Sequence, residues 1–244
     1  NWRQSSYLGK WKVPKTGSSR LRGIELLSDI GEKDLEALEK SCRWKQYAAH
    51  EQIIDCQSDT RDVIFVVRGK VRIVNFSLSG REITFDDLGE GSFFGELAAL
   101  DGQLRSAGVM ALTDTLVASL PPDLFVETLG RHPDLALKVM IHLAHVVRMA
   151  TDRIMDLSTL AANNRIHADL LRQARVNMKE ENTAIISPIP VHGDIASRVS
   201  TTRETVARVM NDLARQGIVK RTKDSLILFD VDRLQEIVEE VRGA

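Results

Sequence analysis

Apolar and polar residues alternate along the chain with two different periods, and the change of period divides it into parts. Between about residues 42 and 120 apolar residues recur at every second position, as in Val63, Phe65 and Val67, and glycines follow at turn-like intervals. Short amphipathic helices from about Ile24 to Lys40 precede this block. Many short strands joined by glycine turns predict an antiparallel roll or barrel.

A helical period begins at His132 and Pro133, because proline suits the first turn of a helix, and it continues to about Leu160. One apolar seam follows spacings of three and four, and a second lies beside it. The first contains Ala136, Val139, Leu143, Val146, Ala150, Ile154, Leu157 and Ala161, and the second contains Met140, Ala144 and Val147. Two apolar faces on one long helix predict that the roll covers one face and that the same helix of a second copy covers the other, which makes a homodimer. The alternative is a helix packed wholly inside one monomer.

A third pattern follows Asn163 and Asn164. It comprises an amphipathic segment at 165–178, a polar connection at 179–190, two short helices at 193–199 and 202–216, and two apolar runs around a polar turn at 222–225. Two helices joined by a tight turn and followed by a hairpin are typical of a winged helix-turn-helix. The fold class is therefore predicted as α+β. Its predicted divisions are a flexible basic extension (1–22), a β-roll (23–132), a dimerisation helix (133–162) and a winged helix-turn-helix domain (163–244).

The composition is that of a folded cytoplasmic protein. Of 244 residues 43% are hydrophobic and 27% charged, which is too apolar for wholesale disorder. No segment has the roughly 18 uncharged apolar residues that cross a bilayer, and no signal peptide is visible, so no membrane partner is expected. Cys42 and Cys56 lack the spacing of a metal site or disulfide framework and are interpreted as structural thiols.

Positive charge is concentrated near the predicted helix-turn-helix, although the whole chain has 33 basic and 34 acidic residues. The segment 198–223 holds seven basic and two acidic residues, a density that attracts phosphates. Thr201 and Glu204 have the spacing of a capping box, so the helix that follows is expected to begin there.

The exposed side of that helix carries candidate base readers. Arg203, Glu204 and Arg208 lie in its N-terminal half, where an arginine matches guanine and a glutamate accepts from cytosine. The alternative is a plain surface ion pair between Glu204 and Arg208. The predicted DNA-binding set is Arg198, Thr201, Thr202, Arg203, Glu204, Arg208, Lys220, Arg221 and Lys223, of which Arg198 and the last three are assigned to phosphates.

A second group of polar residues lies inside the predicted roll. Gly95 ends a strand and Glu96 opens a short helical turn, so free backbone amides there can face an anion. Arg105 offers a planar cationic fork and Ser106 a hydroxyl. A carboxylate at Glu96 would repel a phosphate but would accept well from a ribose hydroxyl, so phosphate plus ribose predicts a nucleotide. The alternative is a surface pair of Glu96 and Arg105.

These residues, together with the long helix, resemble those of the cyclic-AMP receptor protein/FNR superfamily of bacterial transcription regulators, over about residues 21–234. The resemblance rests on the phosphate-binding cassette and on the recognition helix. The cassette comprises Phe94, Gly95, Glu96, Leu97, Ala98, Arg105 and Ser106, and the helix motif runs from Thr202 to Arg208. The resemblance implies a β-roll sensor, a dimerisation helix and a winged DNA-binding domain. It assigns Glu96 to the ribose 2′-hydroxyl, and Arg105 with Ser106 to the cyclic phosphate.

One departure concerns the base of the nucleotide. The long-helix positions at which the family has Thr then Ser in contact with the purine are Ala150 and Thr151 here. The resemblance implies that Thr151 reaches the nucleotide across the dimer, and the alternative is an ordinary helical threonine that faces solvent. The resemblance implies cyclic AMP as the first candidate. Because the groups that contact the base differ, cyclic GMP is left open. The resemblance also implies palindromic DNA with TGTGA-like half-sites and RNA polymerase as a partner, at a surface that the sequence does not identify.

Parts of the pattern are also compatible with other functions. A regulator of the same fold could sense a haem-bound gas or need no effector, the roll could control an attached enzyme, or the chain could be an interaction module without DNA binding. No nucleophile–base pair or metal spacing is present, so no enzymatic activity and no catalytic cofactor are expected. The sequence does not distinguish an activator from a repressor.

Overall fold

The computed structural model describes residues 19–180 and 182–242. Two four-stranded antiparallel sheets face each other in the first half of the chain, with strand orders β1-β8-β3-β6 and β2-β7-β4-β5. The elements of this half are α1 Glu32–Ser41, β1 Arg43–Tyr47, β2 Gln52–Ile54, β3 Val63–Arg68, β4 Val71–Phe76, β5 Glu82–Leu88, β6 Phe93–Phe94, α2 Glu96–Asp101, β7 Gly108–Ala111, β8 Thr115–Leu120 and α3 Pro122–Arg131. The predicted roll is confirmed.

The sheets form because alternate side chains of their strands point into a shared core. Phe65 and Val66 of β3 are fully buried, one on each side of their sheet, in two neighbouring clusters. Two short 3-10 turns, Arg20–Gly23 and Glu25–Leu27, close one end of the core. Burial raises the pKa of the Cys42 thiol to about 12, so this cysteine is a protonated packing residue.

The N-terminal boundary of the roll differs from the prediction. Leu21 is fully buried in the roll core, and Arg20 pairs with Glu39 at 2.6 Å while it lies over the Trp44 ring. Residues 19–22, which were predicted as part of the flexible extension, are therefore part of the roll. Residues 1–18 of that extension lie outside the described part of the chain.

Helix α4, Pro133–Thr159, connects the roll to the second half and confirms the predicted long helix. Leu135 and Val139 are buried against the roll and Leu143 is partly buried there. The opposite side, which we call the apolar face, is uncovered in the single chain. Its side chains are 52% to 64% exposed and comprise Leu137, Met140, Ile141, Val147, Ile154 and Met155.

The second half is a helical domain with its own sheet and core. Its elements are α5 Ala162–Val176, β9 Met178–Glu180, β10 Thr183–Ile186, α6 His192–Arg198, α7 Arg203–Arg215, β11 Val219–Arg221, β12 Leu226–Leu228 and α8 Val231–Arg242. The sheet order is β11-β12-β10-β9. The predicted helix-turn-helix and hairpin are confirmed. The predicted polar connection at 179–190 is partly wrong, because β10 pairs with β12 and completes the sheet.

Helix α6 of this domain rests on strand β5 of the roll. Arg72 of β4 is only 7% exposed, donates two hydrogen bonds to Asp87 of β5 and reaches Asp194 of α6 at 2.7 Å. The hydroxyls of Thr84 and Ser197, both buried, are hydrogen-bonded at 3.0 Å. The helix-turn-helix is thus attached to the roll by buried polar groups that satisfy one another.

Within residues 19–180 and 182–242, no helix has the length and apolar character needed to span a membrane.

Candidate effector and DNA-binding sites

The cassette begins where strand β6 ends. Gly95 has a φ of +86°, a left-handed conformation that favours glycine, and helix α2 starts at the next residue. The turn reverses the chain so that Glu96 points inward, and its side chain is 9% exposed. The strand-to-helix turn predicted from the sequence is confirmed.

Arg105 is nearly fully buried and lies against the same turn. Its Nη1 donates to the carbonyl of Gly95 at 2.9 Å, Nη2 donates to the carbonyl of Asp62 at 2.7 Å, and Nε donates to the Thr60 hydroxyl at 3.1 Å. Burial lowers the pKa of Arg105, and the charges of Asp62 and Glu96 act in the opposite direction. Three of the five guanidinium N–H groups are engaged, which leaves two for a ligand.

Glu96 and Arg105 line one cavity of about 470 Å³ between the roll and α4, a size typical of small-molecule sites. The predicted ligand residues that line it are Phe94, Gly95, Glu96, Leu97, Ala98, Arg105, Ser106 and Ala150. Thr151 is the exception, because its side chain is exposed and its hydroxyl donates to the carbonyl of Val147 at 3.0 Å. Thr151 lies beside Val147 and Ile154 on the apolar face, away from the cavity lining.

Several charged residues of the cavity wall were not predicted. Asp86 comes from β5, and His142 and Arg153 come from α4. Arg153 donates to the carbonyl of Thr84 at 2.6 Å, whereas its buried Nη2 has no hydrogen-bond partner among the described residues. Helical periodicity could have identified both α4 residues. His142 lies eight positions before Ala150 and Arg153 three positions after it, so all three are on the same side of the helix.

The cavity continues to the DNA-binding domain, where Arg198 lines it beside Asp169 of α5. Arg198 donates to both carboxylate oxygens of Asp169, at 3.2 Å and 3.0 Å, and this carboxylate is buried. The assignment of Arg198 to a DNA phosphate is therefore not supported by this geometry. Its guanidinium is paired with this carboxylate, and its side chain is only 23% exposed.

The recognition helix α7 begins one residue later than predicted. Its N-cap is Thr202, whose hydroxyl accepts from the backbone N–H of Thr205 at 3.2 Å, so the proposed capping role of Thr201 is wrong. Thr201 is instead buried, and its carbonyl accepts from Arg81 of the roll. Glu204 lies in the first turn of α7, as it would with the predicted start, and there the helix dipole favours a negative charge.

The predicted base readers share one open surface. Arg203, Glu204 and Arg208 are exposed, and Val206 and Val209 on the opposite side of α7 are buried. Arg208 makes one long contact, 3.5 Å from Nη2 to the Asn163 side chain, and no ion pair joins it to Glu204 in the described chain. The exposed basic residues of the β11–β12 hairpin lie beyond α7, namely Lys220, Arg221 and Lys223.

A buried carboxylate and guanidinium in one cavity, linked to a winged helix-turn-helix, define a nucleotide sensor with a DNA-binding domain. The cyclic nucleotide-binding domain model matches residues 44–132, and the Crp-like helix-turn-helix model matches residues 164–237.

Known proteins of the same two-domain type are similar to this chain in sequence and structure. The chain is 32% identical to a cyclic AMP receptor protein of Thermus thermophilus over 182 residues, which are 74% of this chain and 82% of that one. It is 31% identical to the transcriptional regulator SdrP of the same organism, over 71% of this chain and 82% of that one. A solved CRP/FNR-family regulator from T. thermophilus superposes with a TM-score of 0.61 at 27% identity, covering 82% of this chain and all of that one.

The protein therefore belongs to the cyclic-AMP receptor protein/FNR superfamily of transcription regulators. It combines a cyclic nucleotide-binding domain with a Crp-like DNA-binding domain.

The close approach at Gly95 makes a direct prediction. A Cβ there would lie 2.5 Å from Nη1 of Arg105 and 2.9 Å from the carbonyl oxygen of Asp62, in a backbone conformation that L residues rarely adopt. Gly95→Ala should lower the free energy of unfolding by about 1–3 kcal/mol from the backbone conformation alone. Urea unfolding measures the loss. Gly89→Ala is the control, because nothing lies within 4 Å of its Cβ and it should change stability by less than about 0.5 kcal/mol.

Proposed function

We propose that the protein is a homodimeric transcription regulator that binds a cyclic nucleotide in the cavity and then binds palindromic promoter DNA. The observation that carries this proposal is that buried Glu96 and buried Arg105 line one cavity, which α4 also lines. An anionic phosphate suits the two free N–H groups of Arg105, and a sugar hydroxyl suits the carboxylate. The name of the T. thermophilus cyclic AMP receptor protein supports cyclic AMP as the first candidate.

Cyclic GMP is a second candidate, supported by Arg153. Arg153 lines the cavity one helical turn from Ala150, and its buried Nη2 has no hydrogen-bond partner in the described chain. A guanidinium donor suits the O6 and N7 acceptors of guanine, whereas adenine presents an amino donor at position 6. Since Ala150 has no hydroxyl, α4 offers a donor to the base through Arg153 rather than through a threonine.

The apolar face of α4 supports the dimer. Side chains of this size, more than half exposed along five turns, are uncommon on a soluble monomer and mark an interaction surface. A helix paired with its own copy would cover them and bring Thr151 of each chain to the interface. Two-fold symmetry would then place two α7 helices in successive major grooves, about 34 Å apart, with RNA polymerase as a further partner of the assembly.

Strand β5 offers a route from the ligand to the DNA-binding domain. Phe85, Asp86 and Leu88 line the cavity, whereas Thr84 and Asp87 of the same strand hold α6 and the Arg72 side chain. A bulge at Phe85, where β4 pairs Ile73 with Asp86 and Val74 with Thr84, allows neighbouring residues to serve both sides. A ligand that displaces this wall would bias the position of α6 and hence of α7.

Replacement of Arg105 tests the ligand assignment. Arg105→Lys keeps a positive charge but loses the planar fork, so cyclic AMP and cyclic GMP should bind about 10- to 100-fold more weakly in calorimetric titrations. Thermal unfolding is measured in parallel, since Arg105 also holds the carbonyls of Gly95 and Asp62. Arg61→Lys, an exposed arginine beside the cassette, is the matched control and should bind as the original does. Equal affinity of Arg105→Lys and the original would refute the assignment.

Replacement of Arg208 tests the recognition helix. Arg208→Ala should lose about 1–3 kcal/mol of discrimination at one base pair of a palindromic site, with a smaller effect on random duplex, because a base contact carries sequence information. Competition gel shifts with single-base variants measure this. Arg215→Ala, at the far end of α7, should retain the sequence preference. Equal losses on specific and random DNA would make Arg208 a phosphate contact instead.

The contact between β5 and α6 tests the coupling. The double variant Asp194→Ala and Ser197→Ala removes the α6 side chains that contact Arg72 and Thr84, while Arg72 keeps its hydrogen bonds to Asp87. Nucleotide affinity in the absence of DNA should therefore change less than about twofold. The ratio of DNA affinities with and without nucleotide should fall toward one. Fluorescence anisotropy with a labelled duplex measures both affinities. Asp212→Ala on the outer side of α7 serves as the control, and an undiminished ratio in the double variant would exclude this route.

A further inference from the structure

His142 lies in the cavity wall where helix α4 meets the cassette of the roll. Its ring centroid is 4.7 Å from that of Phe93 at an interplanar angle of 49°, and its Nε2 is 3.6 Å from Oε1 of Glu96. The residue belongs to α4, two turns before Ala150, whereas Phe93 and Glu96 belong to the roll. Phe93 thus fixes the plane of the imidazole, and the imidazole faces one oxygen of the cassette carboxylate.

We propose that His142 is a positioning residue of the effector site, which holds the Glu96 carboxylate so that its free oxygen accepts from a ribose hydroxyl. The inference rests on the proposed function. A glutamate side chain has several rotamers, and a ligand that must select one of them binds more weakly. A carboxylate has two oxygens and can accept from both partners at once, so the contact with His142 and the sugar contact are compatible.

The surroundings of His142 favour its charged form. The groups that face it are Glu96 from α2 and Asp86 from β5, with His145 one turn away on α4. The interaction with Glu96 raises the pKa of His142, against the opposing effect of burial, and Asp86 adds to the rise. A raised pKa means that the ion pair with Glu96 is complete at lower pH and is lost as the pH rises through that pKa.

The contact also joins the sensing cassette to the dimerisation helix. Glu96 is held by α2, and the only charged or titratable side chain of α4 seen in contact with it in the described chain is that of His142. A sugar hydroxyl bound to the other oxygen of Glu96 is therefore connected through His142 to α4, the helix that carries the apolar face. This gives His142 a role in the response as well as in affinity.

The experiment compares a ligand that has the 2′-hydroxyl with one that lacks it. Cyclic AMP and 2′-deoxy cyclic AMP, and the same pair of guanine nucleotides, are titrated by calorimetry into the full chain carrying His142→Leu, His142→Gln or His145→Leu. His142→Leu should weaken the ribose nucleotide about 3- to 10-fold, because the histidine is partly exposed and its contact is screened. The 2′-deoxy nucleotide should lose less than about twofold, and His145→Leu should affect both ligands equally.

The pH profile provides a second readout. The unaltered protein should bind the ribose nucleotide more tightly at pH 6 than at pH 8.5, and His142→Gln, a neutral donor, should restore part of the affinity but remove this difference. Equal losses for the ribose and deoxy ligands, or an unchanged pH profile in His142→Gln, would overturn the role of His142 alone. Failure of the unaltered protein to bind any of these nucleotides would overturn the proposed function and this inference with it.

Discussion

The architecture depends on how the chain keeps the guanidinium of Arg105 buried, since no carboxylate among the described residues forms an ion pair with it. Arg105 is 3% exposed, and a charge in such a place is costly unless its N–H groups are satisfied. The solution is two backbone carbonyls and a hydroxyl, at Gly95, Asp62 and Thr60. These acceptors come from the β6–α2 turn and from the segment before β3, so the cation itself ties the cassette to the sheet.

That arrangement in turn dictates the residue at position 95. The carbonyl of this residue accepts from Arg105 in a left-handed turn, and the guanidinium occupies the space that a side chain would need. The same turn starts α2 and orients Glu96 into the cavity. A small number of local constraints thus produces both halves of a phosphate-and-sugar site, with little rearrangement left for a ligand to impose.

The sequence predicts most of the architecture because the roll, α4 and α7 have strong periodic patterns. It fails where a pattern is short or depends on tertiary contacts. Strand β10 has four residues, too few for an alternation to stand out among polar neighbours, and it becomes a strand because β12 lies beside it. Helix α8 was not predicted, although Val231, Leu234 and Val238 repeat at helical spacing.

The candidate site shows the same division. Motif residues such as Glu96 and Arg105 were placed correctly in one cavity because their spacing is local. Arg198 was assigned to DNA because its charge belongs to a basic segment, but its partner Asp169 is 29 residues away and no sequence pattern connects them. Thr201 and Thr202 differ only in which hydroxyl meets the amide of residue 205, a distinction that requires backbone coordinates.

Strand β5 has a consequence for the lifetime of the regulated state. If one strand serves both the ligand cavity and α6, then linkage requires DNA to tighten nucleotide binding by the same factor by which nucleotide tightens DNA binding. A protein seated on its operator would then retain its small molecule after the free concentration in the cell has fallen. Promoters with strong sites would switch off later than weak ones, so a hierarchy in time would follow from a strand shared by two sites.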